Sequence, residues 1–256
     1  MKSSNHWYTR AGTACYEVPY KDPSKGMRST TLADARKLNL LPSVTTITKV
    51  LAAPSLIEWL RREAAIAVAT TPRRPDEPLD DFVERCLSVD AEATADAAKQ
   101  LGTDIHDGLE SLFSGREYNP TLAGFIRPAA AVVNASGRVV STEAILVGDS
   151  YAGKTDCITK GNWITVWDFK TTGAKKLPTK SYPEHRIQLA AYAACIGNVG
   201  NEQIITKNIY ISTVRPGEVS VCENPDWQTD FAVFRMVSKI WQWQNNYQPQ
   251  PAPDYG

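Results

Sequence analysis

The residues best suited to chemistry form one ordered series between positions 156 and 192. The series contains two carboxylates, a lysine, a glutamine and a tyrosine: Asp156, Asp168, Lys170, Gln188 and Tyr192. Paired carboxylates can bind Mg²⁺, which takes oxygen ligands and keeps several of its waters. Such an ion lowers the pKa of an attacking water, and a lysine can orient that water or stabilise the transition state. These residue types therefore suit metal-assisted cleavage of a phosphodiester.

Asp168 and Lys170 lie two residues apart in an apolar strand, so they share one face while Phe169 points to the other. Phe169 can still offer its main-chain carbonyl to a metal. Residues 163–169 are apolar on both faces, which is typical of a strand that is covered on both sides. Ionised groups in such a strand are costly unless they are paired or bind a metal. An Asp–Lys pair at a wet strand end, or an ordinary exposed hairpin, is the alternative.

The length of the turn after Lys160 decides whether the two aspartates can meet. A two-residue turn at Gly161-Asn162 would place Asp156 and Asp168 on opposite faces of the hairpin. A metal shared by both carboxylates therefore predicts an odd-length turn, such as residues 161–163, or a bulge near Asp156.

A rival motif overlaps this series. Residues 148–155 read GDSYAGKT, which matches the phosphate loop G-x-x-x-x-G-K-[ST]. A working phosphate loop is followed by a helix, whose N-terminus supplies amides and a dipole to the phosphates. Residues 143–147 suit the preceding strand, but the segment after Thr155 has the pattern of a β-hairpin. We therefore expect no nucleotide to bind here.

The hydrophobic period changes from helical to extended near residue 135. Before that point the sequence predicts a hairpin over residues 7–20, a short helix capped by Ser43, and helices over 56–69, 79–87, 90–113 and 122–134. Strands are expected over 138–147, 151–160, 163–170 and 204–214. Two more helices are expected, one opened by a capping box at residues 181–184 and ended by Gly197, the other capped by Asp226 and carrying an aromatic stripe for the core.

Composition narrows the class of protein. The chain has 256 residues, of which 43% are hydrophobic, and no apolar run approaches the roughly 18 residues of a membrane span. With no secretory h-region at the start, we expect a cytoplasmic protein without a membrane partner. Five widely spaced cysteines without a C-x-x-C pair argue against a disulfide framework and clustered iron–sulfur ligation. Zero net charge excludes a globally basic nucleic-acid binder, although residues 154–186 form a basic segment around the carboxylates.

Five short segments, in this order, resemble the RecB-type branch of the PD-(D/E)xK nucleases, including the mitochondrial genome maintenance exonuclease and related phage exonucleases. They are LPSVTTI at 41–47, GTDIH at 102–106, YAGKTDCI at 151–158, VWDFKTT at 166–172 and QLAAY at 188–192. Each segment is short, and their common order gives the resemblance its weight.

The resemblance implies a restriction-endonuclease-like α/β core, with a mixed central sheet flanked by helices and a helical N-terminal region. It assigns His106 and the two aspartates to binding Mg²⁺ or Mn²⁺, and Lys170 to activating water. It also assigns Gln188 and Tyr192 to the wall of the site or to the DNA backbone.

Other polar residues are candidates for contact with DNA. Ser43 and Thr45 could contact a phosphate, as this segment does in related exonucleases, although helix capping explains Ser43 equally well. Lys175, Lys176 and Arg186 could grip backbone phosphates, or could simply be solvated.

The chain departs from the family pattern at two positions. Thr155 stands where the family name has proline, and Asp168 stands where glutamate is more common; both are chemically adequate. The four cysteines that bind an iron–sulfur cluster in some relatives are not evident, and there is no helicase segment. The resemblance therefore implies a stand-alone nuclease with Mg²⁺ or Mn²⁺, and with neither an iron–sulfur cluster nor a nucleotide.

The expected organisation is an N-terminal hairpin and extension over residues 1–40, one nuclease domain over 41–247 and a tail over 248–256. Within the domain we expect a helical part at 41–135, a catalytic sheet core at 138–214 and a C-terminal helix at 226–247. The expected function is that of an exonuclease acting on DNA ends or single strands in recombination, repair or replication. A single-strand-annealing or single-strand-binding protein is a candidate partner. The alternatives are a structure-specific or restriction-like endonuclease and a non-catalytic DNA-end-binding recombination factor.

Overall fold

The computed structural model describes residues 6–51, 54–197 and 203–251. The helices and strands of the described residues, in chain order, are β1 (Trp7–Tyr8), β2 (Glu17–Pro19), β3 (Met27–Ser29), α1 (Leu32–Leu38), β4 (Leu41–Pro42), α2 (Val44–Thr48), α3 (Pro54–Thr70), α4 (Leu79–Phe113), α5 (Ala123–Ala135), β5 (Arg138–Val147), β6 (Ala152–Lys160), β7 (Ile164–Thr172), α6 (Pro183–Ile196), β8 (Ile204–Ser212), β9 (Val219–Asn224) and α7 (Trp227–Asn245). Two short 3₁₀ helices cover Pro23–Lys25 and Pro120–Leu122.

A five-stranded sheet in the order β5-β6-β7-β8-β9 is the centre of the fold. Strands β7 and β8 are parallel, and the other neighbouring pairs are antiparallel. A parallel pair needs a long crossover, which α6 supplies between β7 and β8. The architecture is α/β with a mixed sheet flanked by helices, as the sequence predicts.

The sheet separates two hydrophobic clusters. Val166 of β7 belongs to the cluster that contains α6 and α7 residues such as Ala190 and Phe234. Its neighbour Trp167 belongs to the other cluster, with Ile105 of α4 and residues of α5. Because successive strand residues point to opposite faces, this alternation explains why β7 is apolar throughout. The prediction of a strand covered on both sides is confirmed.

A second, two-stranded sheet attaches the N-terminal segment to the main sheet. Strand β1 pairs antiparallel with β4, and Ser43, the residue after β4, forms a parallel bridge with Ala152 at the start of β6. The Trp7 side chain is fully buried in the same cluster as α6 and α7. The first strand therefore packs against the core that also supports the site.

The hairpin predicted over residues 7–20 is confirmed only around its tip, where the Cys15 N–H donates to the Trp7 carbonyl and the Thr9 N–H donates to the Thr13 carbonyl, each at 2.8 Å. Strand β1 pairs with β4 and strand β2 pairs with β3, while within the predicted hairpin Tyr8 and Ala14 form an isolated bridge. The turn between them is tight, with Gly12 at a φ of 77°. Strand β1 thus finds a partner distant in the chain, which local alternation does not specify.

Three other predictions about elements need correction. The helices expected over 79–87 and 90–113 are one helix, α4, because no glycine or proline separates them. Strand β9 was missed; it is a half-exposed edge strand paired with β8. Helix α6 has no side-chain cap from Ser181; Tyr182 is its N-cap residue and Pro183 its first residue.

The remaining caps agree with the sequence. The Ser43 side chain accepts a hydrogen bond from the Thr46 N–H, Gly197 ends α6, and Asp226 accepts from the Thr229 N–H. The aromatic stripe of α7 faces the core, with Phe234 and Trp241 buried.

Candidate metal centre

The turn between β6 and β7 has the length that the sequence argument required. Lys160 pairs with Ile164, so three residues form the turn, and the register continues to the pair Cys157–Trp167. The next residues outward are Asp156 and Asp168, which therefore share a face. The prediction of an odd-length turn is confirmed.

Beyond the Cys157–Trp167 pair, the main-chain hydrogen bonds between β6 and β7 end, and the Asp156 side chain takes their place. The Phe169 N–H donates to Oδ2 of Asp156 at 2.6 Å. This charge-assisted hydrogen bond holds the carboxylate between the two strands. Phe169 thus contacts the site through its main chain, here by its N–H.

His106 approaches Asp156 from α4. Its Nδ1 lies 3.5 Å from Oδ1 of Asp156, and its ring contacts Phe169 edge-on, with centroids 6.0 Å apart. Close packing fixes this part of the helix, because Cβ on Gly102 would lie 2.9 Å from Oγ1 of Thr171. The structure therefore brings together two of the predicted metal ligands.

Glu143 is a third potential ligand that the sequence analysis missed. One ligand atom from each of His106, Glu143 and Asp156 lies within 4.8 Å of the others, and this is the metal-compatible group found among the described residues. The pair Thr142–Cys157 shows that the next residues along β5 and β6, Glu143 and Asp156, are opposite each other. Glu143 also has a φ of 51°, a region that non-glycine residues seldom adopt.

In the sequence, Glu143 is distinguished only as the carboxylate directly before the apolar run of residues 144–147. Its position depends on a bulge between Val139 and Ser141, which shifts the β5–β6 register by one residue. Without this shift, Thr142 would lie opposite Asp156. Lys154 now forms an ion pair with Glu143 at this edge of the site.

Asp168 is held differently from Asp156. Its side chain is 3% exposed, and its Oδ1 accepts from Nζ of Lys170 at 2.7 Å and from Nε2 of Gln188 at 3.0 Å. Its Oδ2 accepts from Nδ2 of Asn208 at 2.8 Å. Asp168 does not belong to the metal-compatible group, which is drawn from the described residues.

Asn208 was not predicted, since it reaches Asp168 only through the parallel pairing of β7 with β8, in which the two residues are partners. It is fully buried, and its Oδ1 accepts from Asn224 of β9 at 3.4 Å. A buried carboxylate is stable only when its oxygens are hydrogen-bonded, so Asn208 supports Asp168 directly.

Gln188 and Tyr192 form the wall of the site on α6, one turn apart. Gln188 accepts from Nζ of Lys170 at 3.2 Å through Oε1, and its Nε2 donates to the Tyr192 hydroxyl at 3.2 Å. The two residues are buried. Gln188 contacts both members of the Lys170–Asp168 pair, and Tyr192 contacts Gln188.

The pKa values of the two aspartates shift in opposite directions. Burial favours the neutral acid at both positions. At Asp156 the hydrogen bond and charge of His106 outweigh burial, so its pKa lies below the usual value. At Asp168 burial dominates the opposing charge of Lys170, so its pKa lies above the usual value.

The two histidines near these carboxylates also differ. Burial by itself would lower the pKa of His106. The hydrogen bond to Asp156 and the charge of that carboxylate together outweigh burial, so the pKa lies above its usual value. At His185, burial and the charge of Lys170 act together and lower the pKa to about 3. His106 is thus paired with a carboxylate, whereas His185 is a neutral ring whose Nδ1 lies 2.9 Å from the Tyr210 hydroxyl.

The predicted DNA contacts have diverse environments. Ser43 is buried and caps α2, with its hydroxyl 3.0 Å from Oγ1 of Thr45. Lys175 and Lys176 are exposed just after β7. Arg186 is already held by two hydrogen bonds to Asp230 of α7, at 2.7 and 3.0 Å. The structure therefore leaves the two lysines better placed for phosphates than Arg186.

The phosphate-loop motif has the wrong continuation. Its last residues, Gly153 to Thr155, lie within strand β6, which continues to Lys160. A helix N-terminus aimed at the loop is what a nucleotide phosphate needs. The structure therefore lacks, directly after this motif, the helix that a phosphate loop requires.

Comparisons with known proteins add little to the geometry. No protein-family model and no curated protein matches the chain. Among solved structures, the crystal structure of SSO0001 is similar at 16% sequence identity and a TM-score of 0.34, over 73% of this chain and 87% of that chain. This level of similarity carries no argument about activity. Within the described residues, the helices lack the combination of length and apolar character that a membrane span requires.

Proposed function

We propose that this protein is a metal-dependent deoxyribonuclease with a PD-(D/E)xK core of the RecB type. The observation that carries the proposal is the grouping of His106, Glu143 and Asp156 within 4.8 Å, next to the Lys170–Asp168 pair. One imidazole and two carboxylates can hold a divalent cation. Oxygen ligands suit Mg²⁺ and Mn²⁺, and the imidazole favours Mn²⁺, which accepts nitrogen more readily.

Each residue has a defined part in hydrolysis. His106, Glu143 and Asp156 would hold the cation, which supplies a water of lowered pKa and charge stabilisation for the phosphate. Lys170 orients the attacking water or the phosphate oxygen through its ammonium group. Gln188 and Asp168 fix that ammonium group by hydrogen bonds of 3.2 and 2.7 Å. Positioning of this kind accounts for much of the rate in phosphoryl chemistry.

The proposed substrate is DNA, at ends or in single strands, and the proposed reaction is exonucleolytic hydrolysis in recombination, repair or replication. Two exposed lysines after β7, Lys175 and Lys176, would contact backbone phosphates. A single-strand-annealing or single-strand-binding protein remains a proposed partner.

An assay with end-labelled DNA tests the activity. Linear and circular DNA, single- and double-stranded, are incubated with Mg²⁺, Mn²⁺ or EDTA. We expect metal-dependent release of labelled ends from linear DNA. Cutting of closed circles would replace the exonuclease with an endonuclease, and cutting in EDTA would contradict the metal mechanism.

Substitution of the lysine separates catalysis from binding. Lys170→Ala should abolish cleavage while DNA binding, measured by gel shift, is retained. Lys239→Ala, an exposed lysine on α7, is the matched control and should cleave like the parent. If the parent binds DNA ends but never cleaves, the chain is instead a DNA-end-binding factor.

A further inference from the structure

Two aromatic rings lie stacked on the surface near the start of β6. The centroids of His6 and Tyr16 are 4.5 Å apart, with an interplanar angle of 28°. His6 is exposed and Tyr16 is 36% exposed. The hydroxyl groups of Tyr16 and the buried Tyr8 are 2.7 Å apart, which anchors the outer tyrosine to the core.

Backbone contacts fix this pair relative to the metal centre. The Ser43 N–H donates to the His6 carbonyl at 2.9 Å, and the His6 N–H donates to Oγ1 of Thr46 at 3.2 Å. Ser43 bridges in turn to Ala152 of β6. Asp156 follows four residues later on the same strand, which spans roughly 13 Å. The rings are therefore attached to the strand that leads directly into the site.

Two lysines accompany the rings. Lys49 caps the C-terminal end of α2 and is exposed, three residues after the Thr46 that bonds to His6. Lys154 has a side chain that is 46% exposed and lies on β6 between Ala152 and Asp156. Burial, followed by the charges of Lys49 and Lys154, lowers the pKa of His6.

We propose that His6, Tyr16, Lys49 and Lys154, together called the strand patch, bind the single-stranded part of a DNA substrate. Exposed aromatic rings stack on unpaired bases, and lysines beside them neutralise the backbone phosphates. Bases in a duplex are already stacked on each other, so the patch selects single strands. The inference rests on the proposed function of the adjoining metal centre and names the form of substrate that reaches it.

Lys154 gives the patch a path into the site. It forms an ion pair with Glu143 and lies two residues before Asp156 on the same face of β6. A strand that runs from the rings along β6 would pass this ammonium group before it reaches the carboxylates. The patch and the centre therefore form one continuous surface for a polynucleotide.

Binding is measured without cleavage, by fluorescence anisotropy of labelled oligothymidylate in EDTA. With a strand of about 20 nucleotides, Tyr16→Ala should weaken binding about 10-fold, the usual effect of losing one stacked base. Tyr16→Phe should bind like the parent, and Tyr16→Leu should bind like Tyr16→Ala, because the ring and not the bulk is required. Duplex DNA of the same length should bind equally to all of these variants.

The contribution of Lys49 is tested through the salt dependence of the affinity for oligothymidylate. Lys49→Ala should reduce the slope of log affinity against log salt concentration by about 0.7, the value for one phosphate contact on a single strand. Trp243→Ala is the matched control, because Trp243 is an 80% exposed aromatic on α7 that shares a hollow with Arg36 and Lys239. This control should bind oligothymidylate like the parent.

Several outcomes would overturn the strand patch. They are parental binding by Tyr16→Ala, an equal loss in Trp243→Ala, an equal loss for duplex DNA, and no binding of oligothymidylate by the parent. Each leaves the proposed function standing if the parent still shows metal-dependent cleavage. Loss of that cleavage in the parent, with Tyr16-dependent binding intact, would instead contradict the proposed function alone. Thermal melting of each variant confirms that the fold is retained.

Discussion

The two aspartates of the β6–β7 hairpin lie side by side but have different surroundings. Asp156 contacts a main-chain N–H and a histidine, and a second carboxylate, Glu143, lies opposite it. Asp168 is almost completely buried, and three side-chain donors occupy its two oxygens. The Asp156 corner therefore has three potential cation ligands close together, whereas at the Asp168 corner the carboxylate is engaged with Lys170.

This difference changes the ligand set that the family resemblance implies. The resemblance gives Asp156 and Asp168 equal parts in binding the metal. In the structure, Asp168 would need to exchange a hydrogen bond of a buried network before it could coordinate a cation, whereas Glu143 would need to exchange only its ion pair with the half-exposed Lys154. We expect metal binding to begin at the Asp156 corner, with Asp168 acting chiefly through Lys170.

The largest effect should separate the two aspartates. Asp156→Asn should abolish Mn²⁺ binding in calorimetry and lower the cleavage rate by about 10³-fold, because a metal ion supplies several kcal/mol of transition-state stabilisation. Asp168→Asn should lower cleavage as strongly but should keep most of the Mn²⁺ affinity. Asp107→Asn, an exposed aspartate next to His106, is the control and should match the parent.

Equal loss of Mn²⁺ affinity in Asp156→Asn and Asp168→Asn would remove the distinction between the corners. The metal would then be shared by the two aspartates, as the resemblance alone implies.

A second, smaller effect concerns the third ligand. Glu143→Gln keeps the size of the side chain but removes its charge, so Mn²⁺ should bind about 10-fold to 100-fold more weakly, as for other groups that support a metal site. Glu110→Gln is the control. Glu110 lies on α4, as His106 does, but its carboxylate pairs with Arg116. Unchanged affinity in Glu143→Gln would exclude Glu143 from the centre.

The hydrogen bonds to Asp168 should contribute measurably to the free energy of unfolding. Asn208→Ala removes the donor to Oδ2 of Asp168, and a buried carboxylate oxygen without a partner costs about 1–3 kcal/mol of unfolding free energy. Urea denaturation measures the loss. In a double-mutant cycle with Asp168→Ala, the two losses should not add, because each variant removes the same contact. Additive losses would show that Asn208 does not support Asp168.

The two histidines give the smallest effect, which NMR titration of the metal-free protein detects. The pKa of His106 should lie above the usual histidine value and return towards it in Asp156→Asn, whereas His185 should stay neutral down to about pH 3. The His106 contribution to stability is therefore present below the unfolded pKa and is lost as pH rises through its raised pKa. His185 acts in the opposite sense. Between its folded pKa and its unfolded pKa, the imidazole is protonated in the unfolded chain but not in the folded chain. The free energy of unfolding therefore falls as pH drops through that window. A His106 that titrates below the usual range would contradict its pairing with Asp156.

The sequence could predict the parts of the site that depend on local patterns. Alternation in residues 163–170 placed Asp168 and Lys170 on one face, and the order of motifs pointed to His106. For Asp156 and Asp168 the sequence set a condition, an odd-length turn or a bulge, which the three-residue turn meets. Glu143 and Asn208 could not be predicted in the same way. Glu143 depends on a bulge in β5, and Asn208 depends on a parallel pairing whose partner strand comes after a crossover helix. Both are consequences of register between strands, which local sequence specifies weakly.

The fold shows the same division. Helix caps at Ser43, Gly197 and Asp226 follow from residue type and position, and the structure has them. The pairing of β1 with β4 does not, because the two strands are distant in the chain. The cap predicted at Ser181 is the exception, because Tyr182 is the N-cap residue of α6 and makes no side-chain cap.

The most direct test of the central claim is the location of the bound metal. Crystals grown or soaked with Mn²⁺ would be measured at a wavelength where manganese scatters anomalously. We predict one anomalous peak in contact with His106, Glu143 and Asp156. A peak held by Asp168 without Glu143, or no peak between these three residues, would contradict a metal centre at the Asp156 corner.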